Sequence, residues 1–103
     1  MKSEMFNNRM RPVHPGEILR EDYLVPLGIT ANALARALNV PSPRINDIVR
    51  ETRGVTADTA MRLARYFGGD ARSWMNLQAA YDLRVAEKQN AKRIEREISP
   101  AAA

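Results

Sequence analysis

The residues with the clearest chemistry lie in one short segment, residues 42–50. If the segment is helical, its apolar residues Ile45, Ile48 and Val49 turn toward a core and its polar residues turn outward. Arginine suits guanine edges, asparagine suits adenine, and a carboxylate accepts a hydrogen bond from cytosine. The segment is therefore predicted to contact bases in a DNA major groove, through Ser42, Pro43, Arg44, Asn46, Asp47 and Arg50.

A second set of residues flanks this segment and suits phosphate binding. Two of them stand where a preceding helix would begin, and two lie just beyond residue 50. A helix N-terminus presents unpaired amide groups and a partial positive charge, and both attract an anion. We predict phosphate contacts by Thr30, Asn32, Arg53 and Thr56.

Several of these polar residues have a purely structural alternative. Asp47 would be repelled by phosphates, so its alternative role is an ion pair with Arg44 or Arg50. His14, next to Pro15, is expected to be a turn or cap residue, because it has no second histidine to share a metal. For the whole segment, the alternative is an ordinary helical hairpin whose arginines are solvated.

Other kinds of chemistry have little support in the sequence. The absence of Cys and the presence of one His exclude a disulfide framework, a thiolate zinc site and a multi-histidine metal centre. Paired carboxylates at metal-binding spacing, a Gly-rich phosphate loop and a histidine-supported nucleophile do not stand out. A nuclease or other enzyme is therefore the least favoured function, and we expect no cofactor and no metal.

The composition fits one domain with an anionic partner. The chain has 103 residues, 16 Lys+Arg against 12 Asp+Glu, a net charge of +4 and a pI near 10.0. Thirteen of the basic residues are Arg, whose planar donors match phosphates and guanine edges. The basicity is spread along the chain, so one copy is expected to bind DNA weakly. Two copies on half-sites about one helical turn apart would bind it well.

The sequence gives no sign of export or of a membrane. Its apolar stretches are only a few residues long, and residues 1–10 lack the hydrophobic region of a secretion signal. We expect a cytoplasmic protein without membrane contacts, associated with the nucleoid when bound to DNA.

Helical spacing recurs along the chain and predicts five helices and no strand. The first is expected to begin after His14-Pro15-Gly16, with Glu17 in its first turn, and to end by Val25, because Pro26 disfavours helix in the residue before it. The last is expected to run to about Glu97, with Trp74 in the core. The expected N-caps of the second, third and fourth helices are Thr30, Ser42 and Thr56, and the fifth helix is expected to start at Asp70.

The second and third helices are predicted to form a helix-turn-helix. Ala35 supplies the small residue that a steep helix crossing needs. Asn39, four residues later, tolerates the left-handed conformation of the turn. The corner is closed by apolar side chains that are expected to point inward, at Leu34, Leu38, Val40, Ile45 and Ile48.

The chain resembles the HigA/VapI family of antitoxins in two runs, HPGEILREDYLVPLGITANALARALNVPSPRI and RGVTADTAMRLARYFGGDARSWMNLQAAYDL. The resemblance covers roughly residues 11–85, and HPGE and WMNLQ are its most specific parts. It implies an Xre-type helix-turn-helix with a phage-repressor-like, five-helix core. It also implies a dimeric operator-binding repressor that neutralises a partner RNase toxin, similar to HigB.

These observations predict an organisation in three parts. Residues 1–13 are expected to form a flexible N-terminal arm, residues 14–85 the DNA-binding domain, and residues 86–103 a helical extension with a frayed tail. The fifth helix is favoured over the arm as the homodimer interface, because it carries a surplus apolar stripe. The function predicted is that of an antitoxin repressing its own operon. The alternative is a stand-alone Xre-type regulator without a toxin.

Overall fold

A computed structural model describes residues 11–102 of the chain. Over these residues it contains five helices and no strand, as predicted. The first helix, α1, is continuous and consists of three segments, Pro15–Ile18, Leu19–Leu24 and Val25–Leu27. The others are α2 (Ala31–Leu38), α3 (Ser42–Val49), α4 (Ala57–Phe67) and α5 (Ala71–Glu97). Most of the predicted N-terminal arm, residues 1–10, lies outside the described residues.

Helix α1 continues past the point where the sequence predicts its end. Its middle segment is π-helical, and the Val25 N–H donates to the carbonyl of Arg20, five residues back. The wider turn moves the preceding carbonyls away from the ring of Pro26, so that the proline fits inside the helix. The predicted end by Val25 is therefore wrong. Helix α1 ends at Leu27, before Gly28 takes a left-handed φ of 66°.

Two of the three predicted N-caps, Thr30 and Thr56, are confirmed, and Asp70, the predicted start of the fifth helix, is its N-cap. In each, a side-chain oxygen accepts a hydrogen bond from the main-chain N–H three residues later, at 2.8–3.4 Å. The capping residues are Thr30 for α2, Thr56 for α4 and Asp70 for α5.

The predicted cap Ser42 is wrong by one residue. The N-cap of α3 is Pro41, which is extended (φ −63°, ψ 143°), and Ser42 and Pro43 already belong to the helix. The carbonyl of Pro41 accepts a hydrogen bond from the Arg44 N–H at 3.0 Å and so begins the helix one residue earlier. Pro43, near the start of α3, has no N–H to leave unpaired there.

The core lies where α1, α2, α3 and α4 meet under the first turns of α5. Its buried apolar side chains are Leu19, Leu24, Leu34, Ala35, Leu38, Ile45, Ile48, Val55, Ala60, Leu63 and Trp74. The predicted core position of Trp74 is confirmed. Tyr23 packs against Trp74 and Phe67, with ring centroids 5.4 and 4.7 Å apart, so α1 contacts both C-terminal helices.

His14 is the predicted cap residue of α1. Its Nδ1 accepts a hydrogen bond from the Gly16 N–H at 2.8 Å, and its ring lies edge-on to Tyr81 of α5 at 4.8 Å. Burial lowers the pKa of His14 below its ordinary value, so the ring is neutral at physiological pH. The contact between His14 and Tyr81 holds the start of α1 against α5, and the neighbouring Gly16 lies next to the end of α3.

Helix α5 extends well beyond the core. Its 27 residues give a length of about 40 Å. The predicted extension to Glu97 is confirmed. From residue 86 onward every described side chain is exposed except Asn90, which is half-buried.

Candidate nucleic-acid interface

Helices α2 and α3 form the predicted helix-turn-helix. The turn between them is residues 39–41, and Asn39 is left-handed (φ 59°, ψ 48°) as predicted. The Val40 N–H donates to the Ala35 carbonyl at 3.0 Å, which closes the C-terminus of α2. Ala35 itself is completely buried. The turn thus fixes the direction in which α3 leaves α2.

Helix α3 turns its apolar side inward and its polar side outward. Ile45 and Ile48 are fully buried, and Val49 is half-buried. Of the six predicted base-contacting residues, Pro43 and Arg50 are exposed and the rest are half-buried, namely Ser42, Arg44, Asn46 and Asp47. All six are therefore accessible, but three of the half-buried ones are already engaged in hydrogen bonds within the protein.

Asn46 is tied to the start of α2. Its Nδ2 donates to Oδ1 of Asn32 at 2.7 Å and to the carbonyl of Ser42 at 3.0 Å. An amide nitrogen carries two hydrogens, so these two hydrogen bonds use both donor hydrogens of Asn46. In this position Asn46 offers a base only its acceptor oxygen, and the predicted two-bond pairing with adenine requires the side chain to leave Asn32.

Asp47 bridges two arginines beyond the end of α3. Its carboxylate accepts from Nη2 of Arg50 at 3.0 Å and from Nη2 of Arg53 at 3.1 Å. Of the two partners named as structural alternatives, Arg50 is therefore observed. Arg53, predicted to contact phosphate, is joined to the same carboxylate. The three side chains form a connected cluster at the C-terminal end of α3, the helix predicted to enter the major groove and hereafter called the recognition helix.

Arg44 leaves the outward face of α3 and reaches α4. Its Nη1 lies 2.7 Å from Oδ2 of Asp58, which also accepts from Nε of Arg62 at 2.8 Å. Arg62 in turn donates to the carbonyl of Leu38 at 2.9 Å, the last residue of α2. Hydrogen bonds from Arg62 and then Arg44 lower the pKa of Asp58, so its carboxylate is charged at neutral pH. One carboxylate thus links three helices.

Two helix N-termini lie on either side of α3 in the chain, with exposed caps. Thr30 caps α2 and Thr56 caps α4, and Asn32 is exposed in the first turn of α2. A shallow cavity at the start of α4 is lined by Arg44, Arg53, Gly54, Thr56, Asp58 and Thr59. The structure therefore brings two predicted phosphate contacts, Arg53 and Thr56, together with Arg44.

The C-terminal end of the recognition helix is also contacted by a residue of α1 that the sequence analysis did not identify. Arg20 of α1 donates to the carbonyl of Val49 at 2.6 Å and pairs with Glu51 at 3.2 Å. Glu51 is left-handed (φ 66°), a conformation that costs a non-glycine residue about 1 kcal/mol or more. A cation at a helix C-terminus stabilises the last carbonyls. No sequence signal identifies this cap, because it depends on the packing of α1 on α3.

Gly16 was missed for the same reason. A Cβ built on Gly16 would overlap the carbonyl oxygen of Ile48 and lie 2.8 Å from its carbon. Only glycine therefore lets the start of α1 approach the main chain of α3 this closely. In the sequence, a glycine after His-Pro indicates only the start of a helix. Its close contact with Ile48 depends on how α1 packs on α3.

The structure adds two findings on the described residues alone. Between residues 11 and 102, no three His, Cys, Asp or Glu side chains are arranged to hold a metal ion. None of the helices in this part of the chain is both long and apolar enough to cross a membrane.

The fold and this surface define a helix-turn-helix protein, and comparisons narrow the class. The family model described as helix-turn-helix matches residues 19–74. Virulence-associated protein I of Dichelobacter nodosus is 67% identical over 81 residues, which are 79% of this chain and 75% of that protein. The chain belongs to the Xre-type helix-turn-helix family, in its branch of HigA/VapI antitoxins.

Two solved structures of relatives contain DNA. The Pseudomonas aeruginosa antitoxin HigA with the higBA promoter has a TM-score of 0.87 and 55% identity, covering 89% of this chain and 100% of that one. The antitoxin GraA in complex with its operator has a TM-score of 0.85 and 47% identity, covering 90% of this chain and 94% of that one. The fold of this chain is therefore one found in antitoxins.

Proposed function

We propose that this protein is a DNA-binding antitoxin of a toxin–antitoxin module. As a homodimer it represses its own operon, and it neutralises a partner RNase toxin. The observation that carries the DNA-binding role is the recognition helix itself, whose buried side anchors it and whose outer side presents Asn46, Asp47 and Arg50. Relatives of high structural similarity are described with a promoter and with an operator, which supports the same role here.

The contacts divide into bases and phosphates. For the bases we retain Ser42, Pro43, Arg44, Asn46, Asp47 and Arg50, with Arg50 as the principal donor, because it is exposed and oriented by Asp47. For phosphates we retain Thr30, Asn32, Arg53 and Thr56. Two observations support these phosphate contacts. Thr30 and Thr56 cap helix N-termini, and Arg53 lies beside the N-terminus of α4.

Dimerisation supplies the affinity that one copy lacks. Helix α5 projects beyond the core and exposes Leu83 and Ile94, and Ile98 is exposed just past its end. A solvated helix end of about three turns is only marginally stable by itself, so a second copy packed on this stripe would stabilise it. We therefore propose α5 as the homodimer contact that places two α3 helices on two half-sites.

Binding rather than catalysis is the proposed activity. The polar groups of the interface are donors and acceptors suited to bases and phosphates. We propose that the protein acts in the cytoplasm and is associated with the nucleoid when bound to DNA. Incubation of the pure protein with RNA and DNA in the presence of Mg²⁺ should leave both intact, and cleavage would contradict this assignment.

The test of the DNA-binding role is a gel-shift titration with the DNA upstream of the protein's own gene. We expect tight, salt-sensitive binding that only the same sequence competes away. Arg50→Ala should weaken operator binding by about 5- to 150-fold, since a bidentate pair with guanine is worth about 1–3 kcal/mol. Arg72→Ala is the control of equal charge change, because Arg72 lies in the first turn of α5, at the far end of α4. Equal losses in the two variants would refute the assignment of α3.

Toxin neutralisation has its own test. The protein should co-purify with the product of the neighbouring gene and suppress its RNase activity. If DNA binding is normal and no neighbouring protein associates, the chain is a stand-alone regulator with the same recognition helix.

A further inference from the structure

The ion pair between Arg44 and Asp58 removes a cation from the DNA-facing side of the protein. Arg44 begins on the recognition helix, yet its guanidinium lies 2.7 Å from the Asp58 carboxylate of α4. Asp58 also holds Arg62, which is fixed to the end of α2 through the Leu38 carbonyl. The carboxylate is therefore anchored on its other side and provides a fixed counter-charge for Arg44.

Asp58 lines the same cavity as two residues predicted to contact DNA phosphates, Arg53 and Thr56. The cavity at the start of α4 joins Arg44 and Arg53 to the N-terminus of an 11-residue helix capped by Thr56. Two guanidiniums and a helix N-terminus together attract an anion. Two carboxylates already pair with these guanidiniums: Asp47 with Arg53, and Asp58, in the first turn of that same helix, with Arg44. A phosphate that approaches this cavity must compete with Asp58 for Arg44.

We propose that Asp58 is a specificity-determining residue, which pairs with Arg44 and so withholds one cation from the phosphates of random DNA. This inference rests on the proposed DNA-binding function. Phosphate contacts give affinity to every sequence alike, whereas base contacts give discrimination. On the operator, the base contact proposed for Arg44 offsets the loss of its pair with Asp58, whereas on random DNA Arg44 gains only a phosphate. Asp58 therefore lowers sequence-independent binding more than operator binding and raises the ratio between them.

The expected size follows from counter-ion release. Each phosphate neutralised on duplex DNA steepens the salt slope of log K by about 0.9, which at about 0.15 M salt corresponds to about fivefold in affinity. Asp58→Asn removes the charge at nearly constant shape. This variant should therefore bind random DNA about fivefold more tightly than the unmodified protein. Its slope of log K against log salt concentration should be steeper by about one, and its operator affinity should change less.

Asp70→Asn is the matched control. It changes the net charge by the same amount, and asparagine caps a helix about as well as aspartate. Asp70 lies beyond the other end of α4, about 16 Å along the helix from its start, which exceeds the screening length at this salt concentration. Its affinity for random DNA should stay within twofold of the unmodified protein.

A double-mutant cycle distinguishes the effect of the Arg44–Asp58 ion pair from the general electrostatic effect of removing one negative charge. In an Arg44→Ala background, Asp58→Asn should no longer increase affinity for random DNA or steepen the slope. An unchanged slope in Asp58→Asn, an equal gain in Asp70→Asn, or the full gain without Arg44 would each overturn the proposal. A loss of operator affinity alone would assign Asp58 a purely structural role and would overturn it too.

Two controls check that the Asp58→Asn result is caused by loss of the carboxylate and not by misfolding. Circular dichroism melts check that each variant is folded, and Asp58→Ala provides a second way to remove the carboxylate. The proposed function is tested separately, by measuring whether the unmodified protein prefers operator DNA over random DNA at all. If that preference is missing while random DNA still responds to Asp58→Asn, the operator assignment fails and the Asp58–Arg44 competition stands.

Discussion

Substituting Gly16 by alanine should loosen the recognition helix without touching any DNA-facing residue. The added Cβ would overlap the carbonyl oxygen of Ile48 and lie 3.0 Å from Nδ1 of His14. Neither neighbour can easily give way, because one is main chain and the other is a buried ring that caps α1. The whole start of α1 must therefore move away from the end of α3.

The magnitude follows from the cost of overpacking. Extra methyl groups in a packed site cost about 1–3 kcal/mol, and a main-chain neighbour puts this one at the upper end, about 3 kcal/mol. For a domain of this size, such a loss lowers Tm by at least about 12 °C. Thermal melts followed by circular dichroism measure it directly. Operator affinity, measured well below the lowered Tm, should also decrease, because the end of α3 loses its support.

Gly28→Ala is the informative comparison for this prediction. Gly28 has a positive φ of 66° but no atom within 4 Å of an added Cβ, so alanine there is strained without a clash. That strain costs about 1–2 kcal/mol and lies at the opposite end of α1 from the contact with α3. Operator affinity should stay unchanged in this folded variant. A Gly16→Ala protein whose Tm is within 2 °C of the unmodified protein, at about the precision of such a melt, would refute the packing argument.

Three other variants test individual contacts. Burial lowers the pKa of His14 in the folded protein, so the unfolded chain binds the proton more tightly and stability decreases as the pH falls below about 6.5. His14→Asn keeps an acceptor for Gly16 but cannot titrate, and melts from about pH 7 to about pH 5 should show a smaller decrease in Tm. Gln78→Ala removes the acceptor of the Val55 N–H, at 2.7 Å, and urea unfolding should show a loss of about 1–2 kcal/mol. Arg20→Ala removes the donor to the last carbonyl of α3, and urea unfolding should show a loss of about 1 kcal/mol; an unchanged midpoint would mean that this cap is dispensable.

The sequence predicts most of the fold because its signals are local. Caps such as Thr30, Thr56 and Asp70 precede apolar residues at helical spacing, and each acts on amides only three residues away. Asn39 likewise encodes its own left-handed turn. The exception is Pro26, where the local rule predicts an end but a π-helical turn, packed against the core through Leu19 and Leu24, keeps the helix going.

The chemistry of the surface was predictable only as a set of residue types. Outward spacing identifies Asn46, Asp47 and Arg50, because a helical period suffices for that. It cannot show that Asn46 is paired with Asn32, since this depends on how α2 crosses α3. In the same way Asp58 reads as a first-turn acid, and its contact with Arg44 depends on where α4 lies.

These pairings change how the recognition helix is understood. Asn46 is held by Asn32, Arg50 by Asp47 and Arg44 by Asp58, so three of its polar side chains have an internal partner in the absence of DNA. Preorganised side chains lose less entropy when they bind, but each must exchange an internal hydrogen bond for one to DNA. A base that restores the lost bond is accepted, and one that does not leaves a polar group unpaired. Under the proposed function, discrimination would therefore come from the internal partners as much as from the residues that touch the bases.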